Sequence, residues 1–348
     1  MRRNSSYYLL PVAVCLLACL SIRGAVAAAP LEGGAGVKDD GSGTRVITAE
    51  QSLPAEATVT VLMCIESGDV LVRGWDRREV RARSVNAPRI ELRRADATAD
   101  PNPATRVEVL VARDANEPAR PGLCSNSNLE LDVPHGSTVQ IKGNTGDISI
   151  TGVANARAGT LSGDIELQGI TKSTEASSIN GTLVMRKSKG RMRLETIGGE
   201  IVAGDLSADE AADEFSVKSV SGEITLTNIG HTHVEAFSSN SPINFTGALA
   251  GGGLYTLKSH SGSIRLSLPS DSSFQLNAKV HHSGEIVTDF PIRQVPLKAT
   301  GTGHNPHGVG GPLLSEGRLT GVTGKGDKGD ATLILSSFSG TVHLQRQQ

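Results

Sequence analysis

Apolar and polar residues alternate along most of the chain, and glycine interrupts the alternation at regular intervals. Thr145-Gly146-Asp147-Ile148-Ser149-Ile150 sets the pattern, and Ser162-Gly163-Asp164-Ile165-Glu166-Leu167 repeats it. Further copies centre on Gly181, Gly199, Gly222, Gly262, Gly284 and Gly340, and Asn240-Ser241-Pro242-Ile243-Asn244-Phe245 is a degenerate one. From Gly146 to Gly284 the steps are 17, 18, 18, 23, 19, 21 and 22 residues, the spacing of a solenoid.

Before each glycine the apolar or small residues fall at odd offsets. Thr196, Leu194 and Met192 precede Gly199, and Ser219, Val217 and Phe215 precede Gly222. After it they fall at even offsets, Ile then Leu. One alternating strand therefore enters each glycine and another leaves it, with inward residues of successive rungs stacking. This predicts an all-β parallel β-helix, or β-solenoid, with rungs of about 17–23 residues. The expected reason for glycine is a sharp corner whose backbone conformation a Cβ would penalise. In the Gly284 rung the inward set Phe274, Leu276, Ala278 and Val280 lies at even offsets, which predicts one extra residue in a bulge.

An early copy, Ser67-Gly68-Asp69-Val70-Leu71-Val72, follows Val61, Met63 and Ile65. Residues 45–135 read as a longer-looped β region that caps the solenoid of residues 136–348. Residues 301–330 hold ten glycines with Pro306 and Pro312 and read as a long loop. The polar ending Gln345-Arg346-Gln347-Gln348 suits an exposed edge.

The first residues read as a secretory signal: Arg2 and Arg3, then the apolar stretch Tyr7–Leu20. Ala25-Val26-Ala27 fits ordinary cleavage and defines a 1–27 signal with a 28–44 tether. Leu16-Leu17-Ala18-Cys19 instead resembles a lipobox that would acylate Cys19. Both readings place the chain outside the cytoplasm, in the periplasm, outer envelope or medium. Removing Arg2, Arg3 and Arg23 takes 34 basic residues to 31 against 36 acidic, a net charge of −5. That mild acidity argues against nucleic acid as a partner, and no later apolar run is long enough to span a membrane as a helix. Cys64 and Cys124 survive export, an even count that suggests one disulfide.

Candidate chemistry is thin. Asp147, Asp164, Glu200, Glu223 and Glu285 share one rung position, but the calcium-binding GGxGxD repeat is missing, and solvated corners are the favoured reading. His231-x-His233 would share a strand face, with His281-His282 and His304-x-x-His307 further on, yet no zinc-type spacing joins them. Gly324-Lys325-Gly326-Asp327 lacks a phosphate-loop ending, and no Gly-x-Ser-x-Gly elbow occurs. The expectation is no catalytic residue, no metal and no cofactor. Trp75 could serve as a sugar platform, although a core or cap residue at the first rung is the plainer role.

Ser67-Gly68-Asp69-Val70-Leu71-Val72-Arg73-Gly74-Trp75-Asp76, Leu129-Glu130-Leu131-Asp132-Val133-Pro134 and the rungs together resemble the bacterial putative-adhesin family, related to GIN-domain adhesin heads. The resemblance spans about residues 55–344 and implies an exported, adhesin-like scaffold or binding module for a cell-surface or matrix component, glycan or protein. Two other readings are a polysaccharide lyase or hydrolase on a β-helix, and a structural or signalling element of an envelope complex.

Overall fold

The computed structural model describes residues 47–96, 102–112, 116, 119, 124–282, 284–294, 317–324 and 329–347. The signal, the tether, Cys19, His304 and His307 lie outside them. Among the described residues every regular element is a strand, and all belong to one solenoid.

Seven coils follow one another in chain order, from Thr138–Gly143 with Ile148–Thr151 to Leu254–Ser259 with Ile264–Leu268. The first strand of each coil pairs in parallel with the first strand of the next, and second strands pair likewise. Ala158 thus sits between Ile141 and Ala176, and Leu167 between Ile150 and Met185. Two parallel sheets result, and the core is the space between their inner faces. Inward columns such as Ile148, Ile165, Leu183, Ile201, Ile224, Ile243 and Ile264 are fully buried. Each such side chain contributes roughly 1.5–3 kcal/mol. Only stacking provides that burial, because a lone coil has no neighbours above or below.

The ends depart from chain order. Ala49–Ser67 and Val70–Trp75 form a full coil stacked on the first regular one. The strands Ala104–Val111, Ser125–Asn126 and Leu129–Pro134 then pair on its outer side. The expected cap region therefore supplies two coils, closed by the antiparallel strands Ile90–Arg94 and Glu79–Ser84. At the other end, Phe274–Val280 and Ile286–Thr288 skip a position. Ala331–Ser337 and Val342–Arg346 fill it, pairing with the Leu254 coil on one side and the Phe274 coil on the other. The C-terminal strands are not an exposed edge. Alternation shows which residues point inward, and every coil looks alike in that respect, so it cannot give stacking order. Part of the expected 301–330 loop is also a strand, Arg318–Thr323, which covers Phe274–Val280 antiparallel. Val280 pairs with Ser337 and Ile286 with Val342, so this coil uses one residue more than its neighbour at the corner, as the phase slip predicts.

The corner glycines are explained mainly by crowding. A Cβ on Gly163, Gly181, Gly199 or Gly222 would overlap the carbonyl oxygen of the preceding coil's glycine, inside 3.0 Å. Positive φ occurs only at Gly68, Gly146 and Gly163 among the nine. The expected conformational reason therefore holds for three positions, and close approach holds for all nine. A buried hydroxyl column solves the hydrogen bonding there. Thr196, Ser219, Ser259 and Ser337 accept from the N–H of Gly199, Gly222, Gly262 and Gly340 at 2.8–3.1 Å. That is why the inward residue before each corner is Ser or Thr where an aliphatic might be expected.

Cys64 and Cys124 form a disulfide that closes 60 residues and ties the first coil to the excursion outside it. Loop-closure entropy assigns such a bridge about 4 kcal/mol. Cys64→Ala/Cys124→Ala is expected to lower the urea midpoint by a comparable free energy, read by circular dichroism. An unchanged midpoint would show that the excursion docks without the bridge.

Candidate functional site

The corner residues that alternation assigns to solvent include an unexpected set. Leu161, Ile179, Ile197 and Val220 stand two positions before Gly163, Gly181, Gly199 and Gly222, and all four are exposed. Backbone bonds place them on consecutive coils, as in Gly198 N–H to the Ile179 carbonyl and Ser221 N–H to the Ile197 carbonyl, both 2.8 Å. Phe237, four before Ser241, fills the place where the column itself offers Ser239. These five residues line a shallow groove of about 730 Å³.

The same column continues as rings. His260, Phe338 and His282 lie on the next coils, with Phe338 stacked on His260 at 4.7 Å and 4° and on His282 at 5.5 Å and 8°. His281 also leans on Phe338 at 6.2 Å. Six of the eight exposed large hydrophobic residues described lie in this one strip. Scattered exposed apolar residues need no explanation, but a contiguous row marks an interaction surface. Sequence reasoning assigned the odd offsets to the core and passed over the even offset at −2. Four successive aliphatic residues there were the available signal.

The acidic column has a structural use. The Asp69 carboxylate accepts from the N–H of Asp147 at 3.1 Å, Asp147 from Asp164 at 2.8 Å, and Asp164 from Thr182 at 2.7 Å. Each carboxylate thus pins the next coil, and the longer Glu223 reaches Asn244 instead. Among the described residues no group of three or more His, Cys, Asp or Glu could hold a metal ion.

His231 and His233 do not share a face: His231 is fully buried in a return turn, and His233 is exposed on its strand. The Nε2 of His231 lies 2.8 Å from the Gly190 carbonyl, so it donates there, and buried Nδ1 has no hydrogen-bond partner. Burial holds its pKa below the ordinary 6.5. Protonation would place a second N–H where nothing accepts it. The unfolded chain binds that proton more readily, so stability falls as pH drops through 6.5 toward the lowered folded value. The urea midpoint is expected to fall between pH 7.5 and 5, less steeply in His231→Phe. Parallel profiles would contradict this assignment.

Trp75 takes the cap role. Its Nε1 donates to the Glu79 carbonyl at 2.9 Å, and the guanidinium groups of Arg77 and Arg81 lie 5.1 and 4.7 Å from its ring. Arg81 in turn bonds Asp132 at 2.7 Å. The indole is partly buried under two cations.

The family model of the Toastrack DUF4097 domain matches residues 66–300. The chain belongs to the Toastrack DUF4097 family. The Toastrack match takes in the Ser67–Asp76 and Leu129–Pro134 motifs and the corners from Gly68 to Gly284, which carry the adhesin-like resemblance. It ends before the C-terminal coil that is inserted between its neighbours. No curated protein matches the chain. Among solved structures it is similar to one described as a putative cell adhesion protein from Clostridium sporogenes ATCC 15579, at 8% identity. That likeness covers 86% of this chain and 99% of the other, at a TM-score of 0.22, too shallow to transfer fold or function.

Proposed function

We propose that this Toastrack chain is an exported, non-enzymatic envelope or surface protein, an adhesin-like scaffold that engages a cell-surface or matrix component. The observation that carries the reading is the concentration of exposed apolar side chains on one edge of the solenoid. The acidic column fits a scaffold as well, since Asp69, Asp147 and Asp164 each hold a backbone N–H of the next coil with a carboxylate oxygen. The signal-like N-terminus is the basis for export.

The strip is the place to test. Exported wild-type protein and the Ile179→Glu/Ile197→Glu variant would be compared for retention on isolated envelope fractions. Both positions point to solvent, so thermal unfolding should be unchanged, and retention is expected to fall at least about tenfold, the effect of losing 1.4 kcal/mol. Equal retention would remove the strip from the account.

A further inference from the structure

We infer that the aromatic end of the strip is a proton-dependent binding site for an acidic polysaccharide, formed by His260, His281 and His282 around Phe338. This rests on the reading of the strip as an interaction surface and names the ligand class for one end of it. The threading creates the site. The inserted C-terminal coil puts Phe338 between a coil carrying His260 and a coil carrying His281 and His282, so three of the chain's nine histidines meet at one exposed ring. Stacking uses up the ring faces, since His260 and His282 lie nearly parallel to Phe338 at 4.7 and 5.5 Å. What reaches solvent is ring edges, and with them the imidazole nitrogens. None of those nitrogens is bonded to another of the described residues. Such donors suit a ligand rich in acceptors.

The surrounding charges are mostly positive. Lys258 and Lys279, both exposed, stand on either side of Ser336, two positions before Phe338. The coil before contributes the uncharged Phe237 and Ser239. Just past the corners stand Ser263, Thr341 and Glu285, and beyond them Arg265 and His343 lie on the outer face of the second sheet, His343 bonded to Gln345. Glu285 is the single carboxylate among these groups. Histidine changes charge between pH 5 and 8. Over that range the ring stack passes from neutral to cationic, adding three positive charges to Lys258, Lys279 and Arg265. A bound anion favours the charged imidazoles, so binding takes up protons and affinity rises as pH falls. Successive coils lie about 4.8 Å apart, so the histidines span about 10 Å along the solenoid. One small anion would not cover that spread of charge, whereas a polymer carrying anionic groups and hydroxyls along its length would.

The purified chain would be titrated with polygalacturonate, dextran sulfate and neutral dextran at about pH 7.5 and 5.5, the two sides of the histidine range. Calorimetry in two buffers of different ionisation heat counts protons, and circular dichroism confirms the fold at each pH. At least one anionic polymer is expected to bind about tenfold or more tightly at the lower pH, as a one-unit shift in a single linked group would give. Protons should be taken up, and neutral dextran should not bind. Whichever polymer binds, carboxylate or sulfate, identifies the anionic group. His260→Gln/His281→Gln/His282→Gln should lose both the gain and the proton uptake, while His233→Gln, exposed elsewhere, should keep both. Lys258→Gln/Lys279→Gln should weaken binding at both pH values and leave the gain. All these side chains are exposed, so the fold should hold. Absence of anionic-polymer binding at the lower pH overturns the inference. So does a gain that survives in the triple variant, or binding confined to vesicles containing anionic phospholipid. If no polymer binds while Ile179→Glu/Ile197→Glu still loses envelope retention, the inference fails and the functional reading stands. Polymer binding as expected, with retention unchanged in that double variant, would keep the ring site and remove the aliphatic part of the strip.

Discussion

Gly163→Ala is expected to be among the most damaging single-methyl additions in the protein. At φ +137° the residue occupies a region that side chains rarely adopt, at a cost of about 1–3 kcal/mol. Its new Cβ would also overlap the Gly146 carbonyl oxygen, which is backbone and cannot swing aside. Relief would require the coils to separate, yet the Gly163 N–H donates to the Asn180 carbonyl and the Gly146 N–H to the Ser162 carbonyl, at 3.2 and 3.1 Å. Overpacking of this kind adds roughly 1–3 kcal/mol, so a loss of about 3 kcal/mol or more is predicted. Gly251→Ala is the control: nothing lies within 4 Å of its Cβ, and a change within about 0.5 kcal/mol is expected. Urea unfolding of the two variants decides the matter. Equal midpoints would mean that the corner column tolerates a methyl group and that close coil approach is not what selects glycine.

Removing residues 331–348 should have a still larger effect. The inserted coil buries Leu333, Leu335, Val342 and Leu344 completely and pairs on both sides in both sheets. Four such side chains contribute roughly 6–12 kcal/mol, comparable to the whole stability of an ordinary domain. The Leu254 and Phe274 coils would then face an empty slot with unpaired strand edges, which invites aggregation. The truncated chain is expected to lose its cooperative thermal transition or to appear only in aggregates. A synthetic peptide of residues 331–348, added during refolding, should restore the transition by occupying the slot. A truncated chain that melts cooperatively within a few degrees of the intact one would contradict the threading. The same topology predicts late closure, because the slot exists only once the Leu254 and Phe274 coils that flank it have been made.

Much of this architecture is legible in the residues, because a solenoid repeats its reasons. The odd-then-even offsets around Gly199 and Gly222 identify both strands and the corner between them, and the extra residue of the Gly284 coil shows as a phase slip. Stacking order is not legible. Val342 and Leu344 carry the same pattern as Ile264 and Leu266, and nothing local says which coil lies between which. The strand Arg318–Thr323 escaped notice because Gly317, Gly321 and Gly324 dominate its surroundings. The role of Asp147 and Asp164 depends on a hydrogen bond to the next coil, a contact 17 or 18 residues away that a residue type alone does not specify. The apolar strip was within reach: once Thr196 and Leu194 point inward, Glu195 and Ile197 must point outward, and an isoleucine there is the anomaly to follow.

The most direct test of an adhesin-like scaffold incubates the purified chain with isolated envelope and matrix polysaccharides, scoring protein retained and sugar released in the same tubes. The account predicts retention without release, lost in the Ile179→Glu/Ile197→Glu variant. Release of sugar by wild-type protein would contradict it and make the chain a glycan-processing enzyme.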